Sequence, residues 1–305
     1  MTHRYTGTSW SPLALTNKYN LPEAFVKAIQ NARHNEEGCL SATTLLKGTK
    51  EIILENRHFD EIVIDASDEV WSVFGTATHS VLEHQEDDAF KEEKFSVDVL
   101  DYKVTGKVDR YDMAHETLED WKTTSVWKVI FHDFEDWKRQ GLIYTWLLRQ
   151  SGLNVRHIRF IAFLKDHSKS EAKKKADYPQ APVYIYEFDP SEDELTHIEA
   201  YIKEKVFEVS ANAEKPDDEI AECSPEQRWA TPTKWAVMKE GRKTAVKVCD
   251  TEEEALNFIE GLEKEKDKHF VEERKGQDKK CSDYCACCEF CSYYKSLQTR
   301  GAAEE

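Results

Sequence analysis

The sequence predicts an α/β domain built on a mixed central sheet, followed by a small C-terminal ββα element and a cysteine-rich tail. Three observations carry this expectation. Segments of alternating apolar residues are interleaved with segments whose apolar residues recur at helical spacing. The stretch KWAVMKEGRKTAVKVCDTEEEALNFIEGLEKE reads as strand, Glu-Gly turn, strand and helix. Five of the eight cysteines fall between Cys281 and Cys291. The expected organisation is a helical segment over 1–40, a core over 41–215, and the ββα element with its cysteine tail over 216–305.

In chain order, LPEAFVKAIQNARH shows apolar positions at helical spacing and predicts a peripheral helix. The pattern stays helical from SATTLLKGTK to SVLEH, with Val70, Trp71, Phe74, Val81 and Leu82 expected on one buried side. EEKFSVDVLDYKVTGKVDRYDM and TLEDWKTTSV have strand character and are separated by a short polar turn around His115. DFEDWKRQGLIYTWLLRQSG predicts a helix with Phe134, Trp137, Gly141, Tyr144 and Leu148 on its apolar stripe and Gly152 as its stop. Strands RHIRFIAFLKD and APVYIYEFD follow, joined by the lysine-rich DHSKSEAKKKADYPQ, expected to be a mobile loop. SEDELTHIEAYIKEKVFEVSAN is the next helix, and the terminal QTRGAAEE is expected to fray.

The chain shows no run of about 20 apolar residues of the kind that crosses a bilayer, and MTHRYTGTSW lacks the apolar stretch of a secretory signal. A soluble, cytoplasmic protein with no membrane partner is expected. In that setting clustered cysteines point to metal rather than to disulfides. The net charge of −17 argues against a broadly basic nucleic-acid surface. It leaves room for carboxylates that gather a cation, and for a basic protein partner.

Strand alternation puts Leu118, Asp120 and Lys122 on one face and Glu119 and Trp121 on the other. The turn around His115 brings Asp109 toward Asp120 across a hairpin. Two carboxylates so placed make a hard oxygen site for Mg²⁺ or Mn²⁺. A cation there with Lys122 beside it suits phosphodiester hydrolysis, in which charge builds on the phosphorus oxygens.

The order of motifs adds a resemblance: a helix with GTATH, then GKVDRYD, LEDWKTTS, and a helix with RQGLIYTW. Together with the cysteine-rich tail, these segments resemble the PD-(D/E)XK nuclease superfamily, and within it the RecB-type branch of CRISPR-associated exonucleases and their phage-encoded relatives. The resemblance covers roughly Ser41 to Asn212 and implies a restriction-endonuclease-like fold and a metal-dependent deoxyribonuclease. The implied substrate is DNA, single-stranded or with free ends, degraded as by an exonuclease.

Residue by residue, the resemblance makes His79, Asp109 and Asp120 metal ligands, with the backbone carbonyl of Trp121 beside them. It makes Lys122 the catalytic lysine, and Glu83 a support for His79. Gln140 and Tyr144 match the Q-x-x-x-Y signature and would orient Lys122 or contact DNA. The same resemblance implies a [4Fe-4S] cluster held by Cys281, Cys285 and Cys291, with Cys287 and Cys288 as alternatives. The upstream cysteine of these relatives follows the first helix, and SATTLLKGTK has none, so the fourth ligand is Cys223 or Cys39, with Cys223 favoured. Four thiolates suit structural zinc equally well. Lys165, Lys169, Lys173, Lys174, Lys175, Arg139 and Arg149 are candidate DNA contacts, and Trp127, Trp137 and Trp146 candidate stacking residues. The rival expectation is a nucleic-acid-binding or assembly protein that keeps this fold without cutting.

Overall fold

The computed structural model describes residues 14–32 and 36–302. The MTHRYTGTSW segment, part of the expected N-terminal helical segment and the last three residues lie outside the described residues. The chain divides into two compact units, Met1–Ile220 and Ala221–Glu305.

The first unit runs β1 (Ala14–Thr16), α1 (Glu23–Ala32), β2 (Cys39–Ser41), α2 (Thr49–Arg57), β3 (Val63–Asp65), α3 (Val70–Glu83), β4 (Phe90–Val99), β5 (Tyr102–Asp112) and β6 (Thr117–Thr124). It continues with α4 (Val126–Ile130), α5 (Glu135–Gln150), β7 (His157–Leu164), α6 (Lys169–Ala172), β8 (Val183–Phe188) and α7 (Glu192–Asn212). Its main sheet has six strands on the path β2-β5-β6-β7-β8, with β4 also on β5. β2–β5 and β6–β7 pair parallel, while β4–β5, β5–β6 and β7–β8 pair antiparallel. This is the mixed, helix-flanked sheet that the sequence predicts for a restriction-endonuclease-like domain.

The pairing around β5 positions the site. β4 follows one edge of β5 along its length, so β6 and β2 must share the other. β6 pairs only with Arg110, Tyr111 and Asp112, and β2 with Lys103, Val104 and Thr105. Between them β5 and β6 separate, one step past the Arg110–Glu119 rung, where Asp109 and Asp120 would otherwise face each other as partners.

The core lies between this sheet and α5, where Ile143, Leu147 and Leu148 meet Leu118, Ile158 and Phe160. α7 packs on α5 and α2 with Ile198, Ile202 and Val206 inward. Gly106 of β5 lets α5 approach: a Cβ there would fall 2.5 Å from Leu147 Cδ1 and 2.9 Å from the Tyr144 ring. α7 starts in a capping box, with the Ser191 hydroxyl accepting from the Glu194 amide and the Glu194 carboxylate accepting from the Ser191 amide.

The second unit holds β9 (Lys234–Lys239), β10 (Lys247–Cys249), α8 (Glu252–Glu260), β11 (His269–Arg274), α9 (Lys279–Asp283) and α10 (Ser292–Ala302). Its sheet has the order β10-β9-β11, all antiparallel. The predicted ββα element thus gains β11, whose VEER sequence shows too little apolar alternation to signal a strand. Its core is small: Val237, Cys249 and Ala255 are buried, with Trp235, Phe258, Ile259 and Val271 packed around them.

Several expectations need correction. The continuous helical pattern of 41–84 is broken by β3 and by two short 3-10 turns, because three-residue strands are too brief to show a period. α3 buries none of its residues; Trp71, Phe74 and Val81 of the expected buried stripe are exposed. The lysine-rich stretch contains the single helical turn α6, capped by Ser168. The tail expected to fray continues α10 as far as Ala302.

Candidate active site and cysteine centre

Where β5 and β6 separate, the freed backbone is satisfied by a side chain. The Trp121 amide donates to Asp109 Oδ2 at 2.6 Å, which holds the carboxylate against β6. On the face of β6 that carries Trp121 and Thr123, α3 delivers His79. Its Nε2 donates to the Trp121 carbonyl at 2.8 Å, and its ring meets the Trp121 indole edge-on at 5.7 Å. His79 Nδ1 faces Asp109 Oδ1 and Glu92 Oε1, each at 3.3 Å.

Glu92 is the residue that sequence reasoning missed. It lies on β4 between the Lys91–Arg110 and Glu93–Val108 rungs, opposite Asp109, with a backbone φ of 51°. Its carboxylate, rather than that of the exposed Glu83, stands at His79 Nδ1. His79, Glu92 and Asp109 each offer a ligand atom, all within 4.8 Å of one another.

On the other face of β6, Lys122 Nζ lies 2.6 Å from Asp120 Oδ1 and donates to Gln140 Oε1 at 2.9 Å. Gln140 Nε2 in turn donates to the Tyr144 hydroxyl at 3.0 Å. Gln140 and Tyr144 are buried on α5, so the Q-x-x-x-Y pair reaches the site through Lys122. Asp120 faces Lys122 and is not one of the three grouped ligands, although the charges of Asp109 and His79 still act on it.

The electrostatics show an excess of negative charge. Burial pushes the Asp120 carboxyl up to about 6; Lys122 opposes this and Asp109 adds to it. The hydrogen bond to Asp109 raises the His79 imidazole to about 9 against the effect of burial, with the Trp121 carbonyl and Glu92 adding to the rise. The cluster thus draws a proton onto His79 to offset its carboxylates. Oxygen donors joined by one imidazole fit a divalent cation that would supply the same positive charge.

In the second unit, burial and then the charges of Cys285, Asp278, Cys223 and Cys291 push the Cys281 thiol up to about 12. Cys285, Cys223 and Cys291 are thus near enough for their charges to act on Cys281, while the group whose donor atoms all lie within 4.8 Å of one another is, among the described residues, His79, Glu92 and Asp109. Cys39 sits on β2 of the first unit, its thiol raised by burial and by Glu36. Cys287 is buried with Sγ 3.5 Å from that of Cys285, and burial and Cys285 raise the Cys288 thiol, so both remain in the neighbourhood. Cysteine sulfur is the donor chemistry that suits zinc or an iron-sulfur cluster.

The candidate DNA contacts separate into groups. Arg149 is engaged with Glu192 by two hydrogen bonds, and Arg139 lies over the Tyr201 ring. Lys174 and Lys175 pair with Glu171. Lys165 Nζ sits 4.3 Å from the Trp71 ring centroid. Trp137 and Trp146 are core residues, whereas Trp127 is exposed. Among the described residues no helix is long and apolar enough to cross a membrane.

No family model and no curated protein matches the chain. Among solved structures it is similar to SSO0001, with a TM-score of 0.42 and 18% identity over 60% of this chain and 83% of that one. It is also similar to an alkaline exonuclease from Laribacter hongkongensis (TM-score 0.35, 9% identity, 58% of this chain and 90% of that one). A phage-related exonuclease from Haemophilus somnus gives a TM-score of 0.34 and 11% identity over 60% of this chain and 98% of that one.

Proposed function

We propose that the chain is a metal-dependent deoxyribonuclease of the PD-(D/E)XK type that hydrolyses phosphodiester bonds, working from free DNA ends. The observation that carries this reading is the grouping of His79, Glu92 and Asp109 within 4.8 Å where β5 and β6 separate, with the Asp120–Lys122 pair on the adjoining β6. His79, Asp109 and Asp120, joined by Glu92 and the Trp121 carbonyl, would hold Mg²⁺ or Mn²⁺. Such an ion polarises a phosphoryl oxygen and makes water more acidic.

The chain's own groups do the rest. Asp109 is pinned by the Trp121 amide at Oδ2, so its Oδ1 has a fixed direction beside His79 Nδ1. Lys122 is held by Asp120 and Gln140, and Tyr144 fixes the Gln140 amide so that its oxygen points at the ammonium. A half-buried ammonium aimed in this way would stabilise the charge that builds on phosphorus and orient the attacking water.

For the second unit we infer that Cys223, Cys281, Cys285 and Cys291 hold a [4Fe-4S] cluster or a zinc ion as a staple. Among the described residues the clustered core of Val237, Cys249 and Ala255 is small for such a unit, and thiolate coordination is a common substitute for missing hydrophobic burial. Visible absorbance of freshly purified protein distinguishes the two metals.

The test is cleavage of labelled linear single-stranded, linear double-stranded and closed-circular DNA with Mg²⁺ or Mn²⁺. Asp120→Ala and Lys122→Ala are each expected to lower the rate by roughly a hundred- to a thousandfold. Closed-circular DNA is expected to resist. Absence of metal-dependent cleavage by folded native protein would favour the non-cutting, nucleic-acid-binding alternative.

A further inference from the structure

Among the described residues, α3 exposes an apolar surface beside the site. Trp71 and Phe74 are 56% and 48% exposed, and their rings meet edge-on at 6.2 Å. Across the end of the same sheet, Trp127 and Phe131 of α4 are 56% and 71% exposed and stack at 5.6 Å. Large aromatic rings are costly to leave in water, and four grouped beside a site are more informative than scattered ones.

Local geometry sets both pairs along one track. Trp71, Gly75 and His79 follow each other at four-residue steps along α3. A Cβ on Gly75 would lie 3.4 Å from the Thr123 hydroxyl oxygen, so this side of α3 runs over β6. Beyond Thr123, the Lys165 amide donates to the Thr124 carbonyl at 2.8 Å, and the Lys165 ammonium lies over Trp71. Asp166 accepts from the Ser125 hydroxyl and the Val126 amide, which fixes the start of α4 and hence Trp127. The two pairs thus flank the strand end about 7 Å past Lys122 along β6.

We propose that these two aromatic pairs form a base-stacking platform for the unpaired end of a single-stranded nucleic acid, with Lys165 neutralising a phosphate beside Trp71. The proposal rests on the nuclease reading of the neighbouring site. Stacking needs the flat face of a base, which a duplex hides and a single strand offers. A duplex platform would instead rely on many cations along the phosphates. Here the track is aromatic, with the Lys165 cation over Trp71, in a chain of net charge −17.

The experiment measures binding without cleavage: a labelled oligothymidine, an abasic oligomer of equal length and a blunt duplex are titrated with the full chain, without added divalent cation. Native protein should prefer the oligothymidine over the abasic strand, with quenching of tryptophan fluorescence. Trp71→Ala and Trp127→Ala should each weaken oligothymidine binding about tenfold and leave abasic binding unchanged. Trp127→Tyr should retain most of the affinity, and both alanine variants should keep the native melting temperature because the side chains are exposed. An unchanged base preference in a variant combining Trp71→Ala with Trp127→Ala overturns the platform, as does an equal loss of duplex binding. So does a change in oligomeric size on gel filtration, which would assign the surface to a second copy of the chain. Failure of the nuclease reading is seen separately, as absence of metal-dependent cleavage by folded native protein, and failure of its site as cleavage that survives both Asp120→Ala and Lys122→Ala.

Discussion

Glu92 has a left-handed backbone within a strand, a conformation that costs a residue other than glycine about 1–3 kcal/mol and persists where the surroundings enforce it. It faces His79 and also pairs with Lys107. If Glu92 helps to hold the cation, Glu92→Gln should lower Mn²⁺ affinity by roughly 10- to 100-fold, measured calorimetrically. Glu92→Gly should lower it as well, yet leave thermal stability equal or higher, since glycine accepts positive φ without strain. A Mn²⁺ affinity unchanged in both variants would remove Glu92 from the site. At Gly106, an added methyl group meets Leu147 and Tyr144, so Gly106→Ala should cost about 1–3 kcal/mol of stability. It should also slow cleavage, because Tyr144 supports Gln140 and through it Lys122; normal stability in this variant would refute the close approach of α5.

At the scale of elements, two ends in the first unit make distinct predictions. The capping box at the start of α7 satisfies two backbone donors, so Ser191→Ala should cost about 1 kcal/mol in chemical denaturation, and no loss would mean that solvent replaces the cap. At the end of α2, the His58 ring nitrogens face the Glu61 and Asp217 carboxylates at 2.7 and 2.8 Å, each carboxylate accepting. Burial would lower the His58 pKa, but the hydrogen bonds to Asp217 and Glu61 outweigh it and the net shift is upward. A raised folded value means that the charged imidazole stabilises the fold fully below the unfolded pKa of about 6.5 and loses that contribution as pH climbs through the folded value. The melting temperature of native protein should therefore exceed that of His58→Gln most below about pH 6.5, with the gap closing in mildly alkaline buffer. A gap that widens with pH would reverse the assignment.

For the whole molecule, the division into two units separates the residues proposed for cleavage from the cysteine-rich segment. The first unit has an extensive core and contains every residue proposed for cleavage; the second combines a three-stranded sheet with the cysteine centre. If the cysteines bind a stabilising metal, Cys281→Ser or metal removal should lower the melting temperature of the second unit while sparing the first. Hydrogen exchange, read unit by unit, checks this. Equal protection of the second unit with and without metal would argue that its thiols are structural side chains alone.

The sequence by itself determined the order of the main strands and helices and the side-chain chemistry of β6. Alternation alone places Asp120 and Lys122 on one face, and a four-residue step alone places Gln140 and Tyr144 on one side of α5. These are properties of local backbone geometry, which adjacent residues report directly. Tertiary structure decided what depends on distant pairing. Glu92 becomes part of the site only because β4 runs antiparallel to β5 and sets it opposite Asp109, and the β4–β5 turn at Leu100 and Asp101 carries no glycine or asparagine signal. The apolar stripe on α3 looked like core because periodicity reports that a face is apolar and not what covers it. The same pattern is buried on α5 by the sheet and left open on α3 beside the proposed catalytic groups, a difference that arises from where each helix lands on β6.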